Sequence, residues 1–68
     1  MVKATYLRFR NQFAAAVDVD VDGVRYIVTL WREDMYSRFR YGETLDASAT
    51  SVKARPDVVA AAVELANR

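Results

Sequence analysis

Apolar and polar residues alternate with period two through most of the first forty positions, and the spacing turns helical only near the end of the chain. Period two is the signature of strands with one buried face, whereas spacing near 3.6 marks a helix lying on a core. The alternation predicts a first strand over residues 2–10, with Leu7 and Phe9 on one side and Tyr6, Arg8 and Arg10 on the other. Two valine-rich runs, 13–21 and 24–32, flank Asp22-Gly23, and Asp-Gly between alternating apolar residues is the strongest local signal for a tight hairpin. A two-residue type I′ loop there sets Val21 opposite Val24, Asp20 opposite Arg25, Val19 opposite Tyr26 and Val17 opposite Val28. Phe13, Ala15, Val17, Val19, Val21, Val24, Tyr26, Val28 and Leu30 then share one apolar face. The other face carries Ala14, Ala16, Asp18, Asp20, Arg25, Ile27, Thr29 and Trp31.

Arg32-Glu33-Asp34 interrupts the pattern as a loop, alternation resumes over 35–41 as a fourth strand, and Gly42 ends it. Residues 43–55 carry mixed signals, a helical turn near Leu45–Ser48 and an extended stretch at Thr50–Val52. The last segment, 56–67, reads as a helix. Pro56 suits the first helical position, Asp57 suits the positive end of the helix dipole, and Val58, Val59, Ala62, Val63 and Ala66 form an apolar stripe with Leu65 at its margin. The expected fold is α+β: one domain over residues 1–68, an antiparallel β-meander of three to four strands with one C-terminal helix packed on one face. Phe9, Phe13 and Phe39 are expected in the core. The opposite face of the sheet has no further element to cover it.

Composition narrows the chemistry. The chain has 68 residues, 53% of them hydrophobic, with no cysteine and no histidine. A domain this small is marginally stable without a staple, and disulfides, thiolate zinc sites and imidazole-ligated metals are all closed to it. Self-association is the remaining common route to extra stability. No apolar run approaches the ~20 residues that cross a bilayer, and Lys3, Thr5, Arg8 and Arg10 break any signal-peptide pattern, so a cytoplasmic location is expected. The net charge is +1, and Lys3 and Lys53 are the only lysines among ten cations, so arginine dominates. Arginine grips carboxylates and phosphates in a fork and stacks on rings, which suits a contact surface.

Three patterns have the look of sites. Asp18-Val19-Asp20-Val21-Asp22-Gly23 matches the opening of an EF-hand calcium loop, but position twelve is Thr29 rather than glutamate, and valine alternation on both sides favours strands over helices. The aspartates are therefore read as solvated strand carboxylates facing Arg8 and Arg10, with no metal or other cofactor expected. With neither His nor Cys, and with two glycines too few for a phosphate cradle, catalysis is not expected. The third pattern is Y-x-R-F-R, which occurs at Tyr6–Arg10 and again at Tyr36–Arg40. In a strand, each copy sets a tyrosine and two arginines on one face and a phenylalanine on the other.

Tyr, Trp and Arg are the residue types that dominate interface hot spots. Tyr6, Arg8, Arg10, Trp31, Arg32, Tyr36, Arg38 and Arg40 are accordingly the candidate partner-binding residues. The expected function is non-enzymatic binding of a protein partner, a host or regulatory protein, by a small inhibitor or regulator of the kind phages encode, with a homodimer as one form of that contact. The alternative is nucleic-acid binding by the same Arg/Tyr face, because sheets that bind single strands combine stacking rings with cations. Three strands backed by one helix also form the shape with which AP2-type and integrase arm-binding domains enter DNA grooves, an analogy of fold alone. The near-zero net charge and the aspartates on the same face weigh towards protein.

Overall fold

The computed structural model describes all residues, 1–68. Five strands run in chain order, each antiparallel to the next: β1 (Val2–Phe9), β2 (Ala14–Val21), β3 (Val24–Trp31), β4 (Arg40–Leu45) and β5 (Ser51–Val52), followed by α1 (Pro56–Ala66). The α+β class and the single C-terminal helix are those read from the sequence, with one strand more than expected.

The central hairpin has the expected register, with Val21 opposite Val24 and Val17 opposite Val28. Asp22 and Gly23 both take positive φ, 52° and 89°, as a type I′ turn requires. The Asp20 side chain accepts a hydrogen bond from the Gly23 amide at 3.0 Å. In β1 a bulge at Thr5 resets the alternation. Val2 and Ala4 before it, and Leu7 and Phe9 after it, therefore all lie on the side of Val21, Val19, Val17 and Ala15.

α1 covers that side. Val17, Val19 and Val28 of the sheet and Val58 and Ala62 of the helix are fully buried, with Ala15, Val21, Leu30 and Phe39 completing the core. Fully burying a valine contributes about 1.5–3 kcal/mol, so this small cluster is the main source of stability. Arg55 precedes the helix without a side-chain cap. Asp57 in the first turn pairs with Arg55 at 2.9 Å and favours the positive end of the dipole.

The fourth strand departs from expectation. It spans Arg40–Leu45, not 35–41, and residues 32–39 form a loop. Two side chains set this outcome. Asp34 Oδ1 accepts the amides of Tyr36 and Ser37 at 2.8 and 2.9 Å and the Ser37 hydroxyl at 3.0 Å, closing a turn where the alternation suggested a strand. Asn67, just past α1, then takes the place of a strand neighbour. Its Oδ1 accepts the Phe39 amide at 2.7 Å, and its Nδ2 donates to the Phe39 carbonyl at 3.1 Å. Phe39 thus enters the core from a loop. Phe9 and Phe13, expected in the core, are 60% and 47% exposed because they sit at the sheet end, beyond the buried cluster.

Gly42, read as the end of a strand, lies inside β4 at a bulge opposite Thr29 and Leu30. A Cβ there would lie 2.9 Å from both the carbonyl oxygen and Oγ1 of Thr29. The same hydroxyl accepts the Glu43 amide at 2.9 Å, so it has little freedom to withdraw. Beyond β4, the Asp46 side chain accepts the amides of Ser48 and Thr50 and turns the chain back into β5. Gly42→Ala should therefore destabilise the fold by about 1–3 kcal/mol, measured by urea denaturation, whereas an unchanged midpoint would mean that β4 is free to shift.

Candidate functional site: the uncovered sheet face

The face opposite α1 is built in rows across the strands. Lys3, Asp20 and Arg25 form the first row. Tyr6, Asp18, Ile27 and Leu45 form the second, Arg8, Ala16, Thr29 and Glu43 the third, and Ala14, Trp31 and Arg40 the fourth. Alternation places these residues together, since each is offset by an odd number of positions from a core residue on its strand.

One ion pair forms within this face, and Lys3, Arg25 and Glu43 take part in none. Arg8 Nη2 meets Asp18 Oδ1 at 2.9 Å. Asp18 is only 8% exposed, so the pair neutralises a carboxylate held in the middle of the sheet. The guanidinium of Arg8 also lies 5.7 Å from the centre of the Tyr6 ring. Arg40 lies 5.6 Å from the Trp31 ring centre and 3.7 Å from Glu33. Trp31 nevertheless stays 43% exposed. Small Ala14 and Ala16 of β2 form a low floor between the Tyr6/Arg8 and Trp31/Arg40 walls, and the surface holds no enclosed pocket.

The eight residues singled out from the sequence divide into two groups. Tyr6, Arg8, Trp31 and Arg40 share the uncovered face. Arg10 follows β1 in a bend, and Tyr36 and Arg38 lie in the β3–β4 loop. Arg32 has a structural post. Its Nε donates to the Gln12 carbonyl at 2.7 Å, its Nη1 reaches the Met35 carbonyl at 3.4 Å, and its guanidinium stacks 4.4 Å from the centre of the Phe39 ring. The two Y-x-R-F-R copies therefore differ in conformation: the first lies mostly in β1, and the second is loop except for Arg40. Sequence reading places Ala14 and Ala16 on this face but passes over Leu45 and Glu43, because the register of β4 depends on the bulge at Gly42.

The aspartate triplet is distributed over separate partners. Asp18 pairs with Arg8, Asp20 receives the Gly23 amide, and Asp22 pairs with the N-terminal amine. No helix is long and apolar enough to cross a membrane. Compared with known protein families, curated proteins and solved structures, the chain matches none at a significant level.

The geometry of the β3–β4 loop acts on the protonation of Asp34. Hydrogen bonds from the Tyr36 amide and the Ser37 hydroxyl, helped by the charge of Arg32, hold it below the ordinary aspartate value of about 3.9. A lowered folded-state value means that its contribution to stability is present above the ordinary value and is lost as pH falls through the lowered one. On acidification below about pH 4, the Tyr36 and Ser37 amide resonances should shift together at a midpoint below 3.9, and Asp34→Ala should abolish that step. An Asp34 midpoint at the ordinary value would contradict the loop geometry.

Proposed function

We propose that this protein is a non-enzymatic binding module, a small inhibitor or regulator, whose uncovered sheet face docks on another protein, a second copy of the chain included. The observation that carries the reading is the composition of that face. Trp31, Ile27, Leu45 and Tyr6 supply apolar area, and Arg8, Arg40, Lys3 and Arg25 alternate with Asp18, Asp20 and Glu43. A face of mixed sign with an exposed tryptophan suits a protein surface of complementary charge pattern, in which charge sets specificity and the ring supplies binding energy. Phosphate backbones call instead for a face of one sign. Here Arg8 is already neutralised by Asp18, and Arg40 stands over Trp31 within reach of Glu33.

Immobilised protein should capture a partner at fixed stoichiometry. Trp31→Ala should weaken that capture by about 30-fold or more, the loss expected of a hot-spot tryptophan, while the thermal unfolding curve moves by only a few degrees. Light scattering of the eluted protein should give the same mass with and without short DNA or RNA at low and at high salt. If Trp31→Ala unfolds the domain, or a mass shift with nucleic acid appears at low salt and vanishes at high salt, the protein-docking reading fails.

A further inference from the structure

A second surface lies at the sheet end where the β1–β2 and β3–β4 loops meet. Arg32 staples them, bonding to the Gln12 carbonyl of one and the Met35 carbonyl of the other, while its amide donates to the Phe13 carbonyl at 2.9 Å. Exposed large apolar side chains gather here. Phe9 ends β1, Phe13 precedes β2, and Met35 and Tyr36 sit in the β3–β4 loop, with Tyr36 99% exposed. Asp34 holds the Tyr36 amide at a turn, and the almost fully exposed Tyr36 ring takes no part in the core.

The charges at this end are asymmetric in availability. Each nearby carboxylate is engaged: Asp34 by the loop amides and Ser37, Glu33 by Arg40 at 3.7 Å, and Glu64 by Arg68 at 3.4 Å. Arg10 and Arg38 take part in no ion pair. Two free guanidiniums interleaved with Phe13, Met35 and Tyr36 are complementary to a chain that alternates carboxylates with large apolar side chains. Guanidiniums take carboxylates in a fork, and Met and aromatic groups accept varied apolar shapes. A nucleic-acid strand fits less well, because its evenly spaced phosphates call for a surface of one sign, whereas Arg10 and Arg38 are two cations set among apolar side chains.

We infer that the loop end, through Arg10, Phe13, Met35, Tyr36 and Arg38, is a docking site for an acidic, apolar-studded protein segment, separate from the uncovered sheet face. The probe is a short synthetic peptide in which glutamates alternate with leucine and phenylalanine, titrated into isotope-labelled protein and followed by amide shifts. Shifts confined to residues 10–13 and 34–38 are expected. Affinity should fall about tenfold or more for an all-glutamate peptide of equal length, and likewise for the double variant Arg10→Glu/Arg38→Glu, whose circular dichroism should match the parent. Shifts centred on Ile27, Thr29 and Trp31 would assign the peptide to the sheet face and overturn this proposal while leaving the face reading intact. Absence of binding, equal binding of the all-glutamate peptide, or tighter and steeply salt-dependent binding of an oligothymidine strand would each overturn it too. Loss of partner capture in Trp31→Ala alone bears only on the sheet face.

Discussion

One short helix has to cover a five-stranded sheet, and it can cover only one side. α1 has eleven residues, about 16 Å of helix, whereas five strands at roughly 4.8 Å spacing make a sheet wider than a helix is thick. The helix therefore lies mainly against β1 and β2 and reaches β3 and β4 less closely, with Val58 and Ala62 in one buried cluster with Val17, Val19 and Val28. Everything outside that contact is left to solvent or to a partner. The sheet ends and the far face carry the large residues the helix does not reach.

Polar side chains organise what the core leaves open. Asn67 ties the end of α1 to Phe39, and Arg32 ties the two loops at the same end while lying on the Phe39 ring. Phe39 is thus held by core packing, a guanidinium and a side-chain amide at once, and its ring meets that of Phe9 at a tilt of 44° with centres 6.0 Å apart. On the far face, the Arg8–Asp18 pair serves a similar purpose, since it lets a buried carboxylate sit beside apolar neighbours without an unmatched charge. No buried side-chain polar atom is left without a partner. Trp31, under the Arg40 guanidinium but still exposed, and the almost fully exposed Tyr36 mark the two surfaces proposed for binding.

The hairpin from Ala14 to Trp31 was legible because two independent signals agreed: strict alternation and an Asp-Gly turn that admits a single register. The helix was legible from Pro56 and its apolar stripe. Tyr36–Arg40 misled because its alternation suits a strand, while the decisive contacts, Asp34 to the Tyr36 amide and Asn67 to Phe39, are a side-chain turn and a long-range bond that periodicity does not register. Gly42 misled in the opposite direction. Glycine weakens a strand interior, but it also marks bulges and close backbone approaches, and here it allows β4 to press against Thr29. β5 has two residues and depends on its pairing with Thr44 and Leu45. Of the eight candidate contact residues, Tyr6, Arg8, Trp31 and Arg40 fell on one face, Arg10, Tyr36 and Arg38 fell at the loop end because β1 stops at Phe9 and β4 starts only at Arg40, and Arg32 fell inside the scaffold.

The central claim is that the sheet face opposite α1 is covered by another protein. Its most direct test is photocrosslinking in the cells that make the protein, with a photoreactive residue placed at Glu43, an exposed position on that face, or at Ala60, an exposed position on α1. The account predicts a protein adduct of discrete mass from position 43 and none from position 60. Equal adducts from both positions, or a position-43 adduct destroyed by nuclease, would contradict it.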